Sequence, residues 1–155
     1  MLRKDPFVLN RNGAVAVNLD DDQRELLRHM FGELREALLL DDDAGLRRLY
    51  PTAYANDAEL DAGYQALVHG ELMEKRLAAL DEVEATLDQA TLTTEQLTLW
   101  MTSINDLRLI LGTKLDVSEE DDLFDPEAPD AQARLIYIHL GWLLEHVVAA
   151  LTGTL

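Results

Sequence analysis

Residues 93–112, TTEQLTLWMTSINDLRLILG, decide the fold. Thr93 followed by Gln96 is a capping-box pattern: each side chain accepts a backbone N–H that the first helical turn leaves without a partner. Behind it Leu97, Trp100, Ile104, Leu107 and Leu111 recur at helical spacing, and Gly112 offers a C-terminal stop. Such a helix must bury its apolar stripe against neighbours. The rest of the chain supplies them.

Upstream, a long helix is expected from Asn56 or Asp57 towards Asp88, with Met73, Leu77, Leu80, Val83 or Glu84, and Leu87 as its later stripe. Before it, Asp20-Asp21-Asp22 places carboxylates at the electropositive start of another helix. That helix aligns Leu26, Leu27, Met30, Phe31, Leu34, Ala37 and Leu38. Asp41-Asp42-Asp43 ends it and caps a short helix through Leu46 and Leu49, which Pro51 stops. Residues 6–19 read as a β-hairpin. Phe7-Val8-Leu9 and Ala14-Val15-Ala16-Val17 flank Asn12-Gly13, and both turn residues suit the positive φ of a type I′ turn.

Downstream, residues 116–130 hold eight acids and no base, with Pro126 and Pro129 breaking any helix. They read as a solvated, mobile acidic loop. A last helix, Ala131 to Leu151, is apolar nearly all round and is expected at the centre of the bundle or in a subunit interface. The whole reads as a single helical domain over residues 1–155, mainly α. It is a bundle of about four main helices with an N-terminal β-hairpin.

Composition narrows the function. The 155 residues carry 13 bases against 30 acids, a net charge of −17. That balance argues against nucleic acid, which needs clustered Lys and Arg, and against an anionic membrane surface. The absence of cysteine excludes disulfides, thiolate metal sites and cysteine nucleophiles. Met1–Lys4 is basic, but Asp5-Pro6 stands where a secretory apolar core would begin. The run Leu135–Leu151 is shorter than the roughly 20 residues of a bilayer span. The chain is read as a cytoplasmic soluble protein.

Chemical motifs are few. His139 and His146 share a helical face but stand two turns apart, about 10.5 Å of rise, too far for one ion. Asp116, Ser118, Glu120, Leu123 and Glu127 imitate a calcium loop, yet Asp121 replaces its glycine and Pro126 interrupts it. No nucleophile elbow or phosphate-binding glycine loop is present. The reading is therefore non-enzymatic, with no catalytic residue, no metal and no cofactor. One polar cluster stands out: Met101, Asn105 and Arg108 share a face beside the apolar stripe. Asn105 and Asp106 are poor mid-helix residues. Two readings stay open. Either Arg108 is paired with a carboxylate in a buried network, or Arg108 and Asn105 form a binding clamp for an anion or a peptide terminus.

Trp100 followed by Asn105-Asp106-Leu107-Arg108-Leu109-Ile110-Leu111-Gly112-Thr113-Lys114-Leu115 resembles the signature of an actinobacterial family of unknown function. Arg48-Leu49-Tyr50-Pro51-Thr52-Ala53-Tyr54 and Leu140-Gly141-Trp142-Leu143 are similar to it as well. Genes of that family often neighbour the adaptor of the Clp protease. The resemblance implies a link to regulated proteolysis and supplies no catalytic residues. The expected function is a helical interaction or regulatory module with a protein partner. The alternative is a small-ligand or anion-binding protein, an enzyme among the options, using Arg108 and Asn105. The exposed hairpin edges and the apolar last helix both point to a homodimer.

Overall fold

The computed structural model describes residues 5–40, 57–115 and 126–153, with the side chains of residues 61 and 64–69 outside that description. The chain order is β1 (Phe7–Leu9), β2 (Val15–Val17), α1 (Asp21–Leu40), α2 (Ala58–Thr86), β3 (Thr91–Leu92), α3 (Thr94–Lys114) and α4 (Ala131–Thr152). The protein is mainly helical, as its periodicity predicts. The short helix expected after residue 43 and residues 116–125 of the acidic loop lie outside the described residues.

The helix starts follow the local chemistry. Asp20 Oδ1 accepts from Gln23 N–H at 2.8 Å while Gln23 Oε1 accepts from Asp20 N–H at 3.0 Å, a reciprocal cap on α1. Asp57 accepts from Leu60 N–H at the head of α2, and Thr93 and Gln96 form the capping box of α3. Gly112 does not stop α3. It is buried inside the helix, which runs on to Lys114 with Leu115 N–H donating to Leu111 O at 2.9 Å. No residue after Gly112 breaks the ladder before Leu115, so the helix continues.

The hairpin forms with Phe7 opposite Val17 and Leu9 opposite Val15. Its loop differs from the expected type I′ turn. Asn10 N–H bonds Ala14 O, and Gly13 N–H bonds Asn10 O, so Arg11, Asn12 and Gly13 form a three-residue loop. Gly13 has φ 86°, the left-handed position such loops require. A third strand was not legible in the sequence. β3 pairs antiparallel with β2, with Val15 opposite Leu92, giving a sheet of order β1-β2-β3. The inner edge of β2 is thus covered by the chain itself, and among the described residues β1 and the two-residue β3 are the edge strands of the sheet.

Arg24 locks this corner. Its guanidinium donates to the carbonyls of Val17, Leu19, Leu87 and Gln89 at 2.7–3.2 Å, joining the end of β2, the start of α1 and the α2–β3 turn. Four carbonyls from two distant segments share one planar donor fork.

The centre of the bundle is α3, and the expectation that α4 occupies it is corrected. Leu97, Trp100, Ile104 and Leu107 of α3 meet Leu27, Phe31 and Leu34 of α1, Leu80 and Val83 of α2, and Leu140, Leu143 and Val147 of α4 in one core. Phe7, Val15, Val17 and Leu92 close that core from the sheet. Trp100 is fully buried, and its indole N–H donates to Thr86 Oγ1 at 2.8 Å. Thr86 in turn donates to backbone carbonyls of its own helix, so the polar tip is satisfied. By contrast α4 buries only the stripe Leu140, Leu143, Val147 and Ala150. Its opposite side carries Leu135, Ile138 and Val148 into solvent at 53, 55 and 44% exposure. At 22 residues and mean hydropathy 1.5 it is long and apolar enough to cross a bilayer by length and composition, which the shorter run read from sequence was not.

Candidate functional site

The polar cluster on α3 divides into two parts. Asp106, only 4% exposed, faces α2 and accepts a charge-assisted hydrogen bond from Arg76 Nη1. Burial pushes the Asp106 carboxyl above the usual carboxylate range, and the Arg76 guanidinium opposes that shift. The buried ion pair expected for Arg108 therefore belongs to Arg76 and Asp106. An acid in the middle of a helix, next to Leu107 of the apolar stripe, was the available signal. Its partner, thirty positions upstream on another helix, had none.

Arg108 turns instead towards α4. Its guanidinium lies over the Tyr137 ring, 4.9 Å from the centroid, in a cation–π stack. Gly141 makes room for it, since a Cβ there would stand 3.3 Å from Arg108 Nε. That Nε is buried and has no hydrogen-bond partner among the described residues. No described carboxylate lies within ion-pair distance of the Arg108 guanidinium. Asn105, half-buried on the same helix, is not among the described residues lining the groove that Arg108 enters. The structure thus places the two expected clamp residues on one helix but brings only Arg108 to the groove.

That groove has a volume of about 680 Å³ and runs along the outer side of α4. Tyr137, Ile138, Trp142, Leu144 and Val148 give it apolar walls. Among its described lining residues Arg108 is the cation and Glu145 the anion. It is continuous with the exposed Ile138 and Val148, so an extended surface rather than a closed chamber receives whatever binds there.

Trp142 separates this groove from a second, more polar one of about 410 Å³ lined by Asn18, Asp20, Asp22, Gln23, Leu26 and His139. The two histidines that suggest a metal in sequence flank the same indole. His139 stacks on Trp142 with centroids 5.7 Å apart, and His146 packs on it at 4.6 Å. His146 Nε2 also stands 3.8 Å from Asp5 Oδ1. The space between the imidazoles is filled by an aromatic ring. Among the described residues no group of three His, Asp or Glu could hold a metal ion.

What this arrangement can do follows from its chemistry. It offers an apolar face and an aromatic-backed guanidinium. It suits recognition of a complementary surface. No curated protein and no solved structure matches the chain. A family model described as "Domain of unknown function (DUF2017)" matches residues 4–151, nearly the full length, and the protein belongs to that family.

Proposed function

We propose that this protein is a non-enzymatic interaction module that docks a protein through the outer face of α4 and the Arg108 groove beside it. One observation carries the reading: Leu135, Ile138 and Val148 stand exposed along a helix that also lines an open groove with an arginine in it. Exposed apolar residues in a contiguous patch, centred on an aromatic and an arginine, have the composition of an interface core. A cytoplasmic location and a place in regulated proteolysis belong to the same proposal. Their support is the acidic composition and the family resemblance.

The test is differential capture. Immobilised parent protein is compared with Ile138→Asp, which puts a charge on the exposed face, and with Glu36→Lys on the outer side of α1. The expected result is a set of partners retained by the parent and by Glu36→Lys and lost by Ile138→Asp. Equal capture by all three proteins overturns the proposal. Identification of the retained proteins decides whether components of a protease system are among them.

A further inference from the structure

Building on that reading of the α4 face, we infer that its occupant is a second copy of this chain. The two copies are related by a two-fold axis, and Arg108 of each pairs with Glu145 of the other.

The lining of the groove sets what can fill it. Its walls are apolar, and its cation is Arg108, whose guanidinium makes no ion pair among the described residues. A complementary surface is therefore an apolar helix face bearing a carboxylate. The outer face of α4 answers that description. From Leu135 to Gly153 the chain holds one acid, Glu145, and no Lys or Arg. Glu145 is exposed, lines the same groove as Arg108, and makes no ion pair with it among the described residues. The face presents one donor fork and one carboxylate, each without a charged partner among the described residues, set among apolar side chains. It is complementary to itself, which is the requirement for an isologous two-fold contact.

The register agrees. An axis passing between Gly141 and Trp142 sets the two α4 helices antiparallel, with Ile138 of one opposite Glu145 of the other. Leu135 then meets Val148. Arg108 stacks over Tyr137, one residue and about 1.5 Å of rise from Ile138. The second copy's Glu145 therefore arrives at the level of the guanidinium. The same operation brings Leu135 and Val148, two of the three exposed large apolar residues of α4, to the same level. The charge of −17 on each copy repels at long range, but beyond roughly 8 Å that repulsion is screened at physiological salt. The contact face itself, with one arginine and one glutamate, is neutral.

Reciprocal pairing makes an unusual prediction that sedimentation velocity or light scattering can read. The parent is expected at twice 17.4 kDa. Glu145→Arg and Arg108→Glu should each run as monomers at concentrations where the parent is dimeric, because each faces like charge across the axis twice. Mixing the two monomeric variants should restore a dimer, since both contacts then join opposite charges. The double variant Arg108→Glu/Glu145→Arg should also dimerise. Circular dichroism melting establishes that each variant is folded. Should Arg108→Glu unfold, Glu145→Arg and Ile138→Asp, both at exposed positions, are expected to give folded monomers and carry the test. A parent that runs at 17.4 kDa overturns the inference. So does a dimer that both single variants leave intact, or a mixture that stays monomeric. A monomeric parent whose capture of another protein is lost in Ile138→Asp would overturn the two-fold dimer and leave the interaction module standing.

Discussion

The guanidinium of Arg108 lies 4.9 Å from the centre of the Tyr137 ring, and Gly141, one turn further along α4, leaves the space that lets it lie there. A cation–π stack of this kind contributes roughly 0.5–2 kcal/mol, and the aliphatic stem adds packing. Arg108→Ala is therefore expected to cost about 1–2 kcal/mol in chemical denaturation. That is well below the roughly 3–5 kcal/mol of a broken buried ion pair. Gly141→Ala adds a reading of the same contact. The gain in helix propensity, about 1 kcal/mol, should appear in full only when Arg108 is also truncated. A double-mutant cycle showing no coupling between the two positions would contradict the contact.

Asp106 carries the larger electrostatic stake. Arg76→Ala leaves a carboxylate that is 4% exposed without its cation and is expected to cost about 3–5 kcal/mol. Replacing both groups with apolar residues, Arg76→Met with Asp106→Leu, should recover most of that loss. A single variant as stable as the parent would show that the pair is dispensable.

The same carboxyl sets a pH dependence. Its proton is held in the folded chain to a higher pH than the ordinary 3.8, because burial disfavours the charge. The folded state then binds more protons than the unfolded state above that value. This group's contribution is therefore full below it and declines as pH rises through the folded midpoint. Relative to Asp106→Asn, the parent should lose stability as pH rises above the ordinary carboxylate value. A parent that gains on the variant over that rise would reverse the sign.

Thr86→Val tests the tip of Trp100. The substitution keeps the shape and removes the acceptor of the buried indole N–H, so an expected cost of about 1–3 kcal/mol follows from the unsatisfied donor. Chemical denaturation at constant pH measures it. A change below about 0.5 kcal/mol would place that N–H in contact with another acceptor.

What was legible in the sequence follows the range of the interactions. The Thr93–Gln96 capping box, the Asp20 and Asp57 caps and the apolar stripes of α1 and α3 are written within a few residues, and the structure contains them. β3 is two residues long and exists because β2 offers an edge, which no local pattern encodes. No local pattern marks the role of Arg24, since its acceptors are carbonyls up to 65 positions away. The apolar character of α4 was plain, but its placement was not. Trp100 made α3 the centre, and α4 was left with an outward apolar face. Arg108 stands out in the sequence as a base beside the apolar stripe of α3. Whether it met a carboxylate or a ring depended on Gly141 and Tyr137, on another helix.

The central claim is that the outer face of α4 is an interaction surface, and covalent trapping in the cell tests it most directly. A photo-crosslinking residue is placed at Ile138, and in a separate protein at Glu36 on α1 as the reference. After irradiation, the account predicts a discrete adduct from position 138, either twice the mass of the chain or the chain joined to another protein, and none from position 36. A chain that stays uncrosslinked at 138, or that crosslinks equally from both positions, would contradict it.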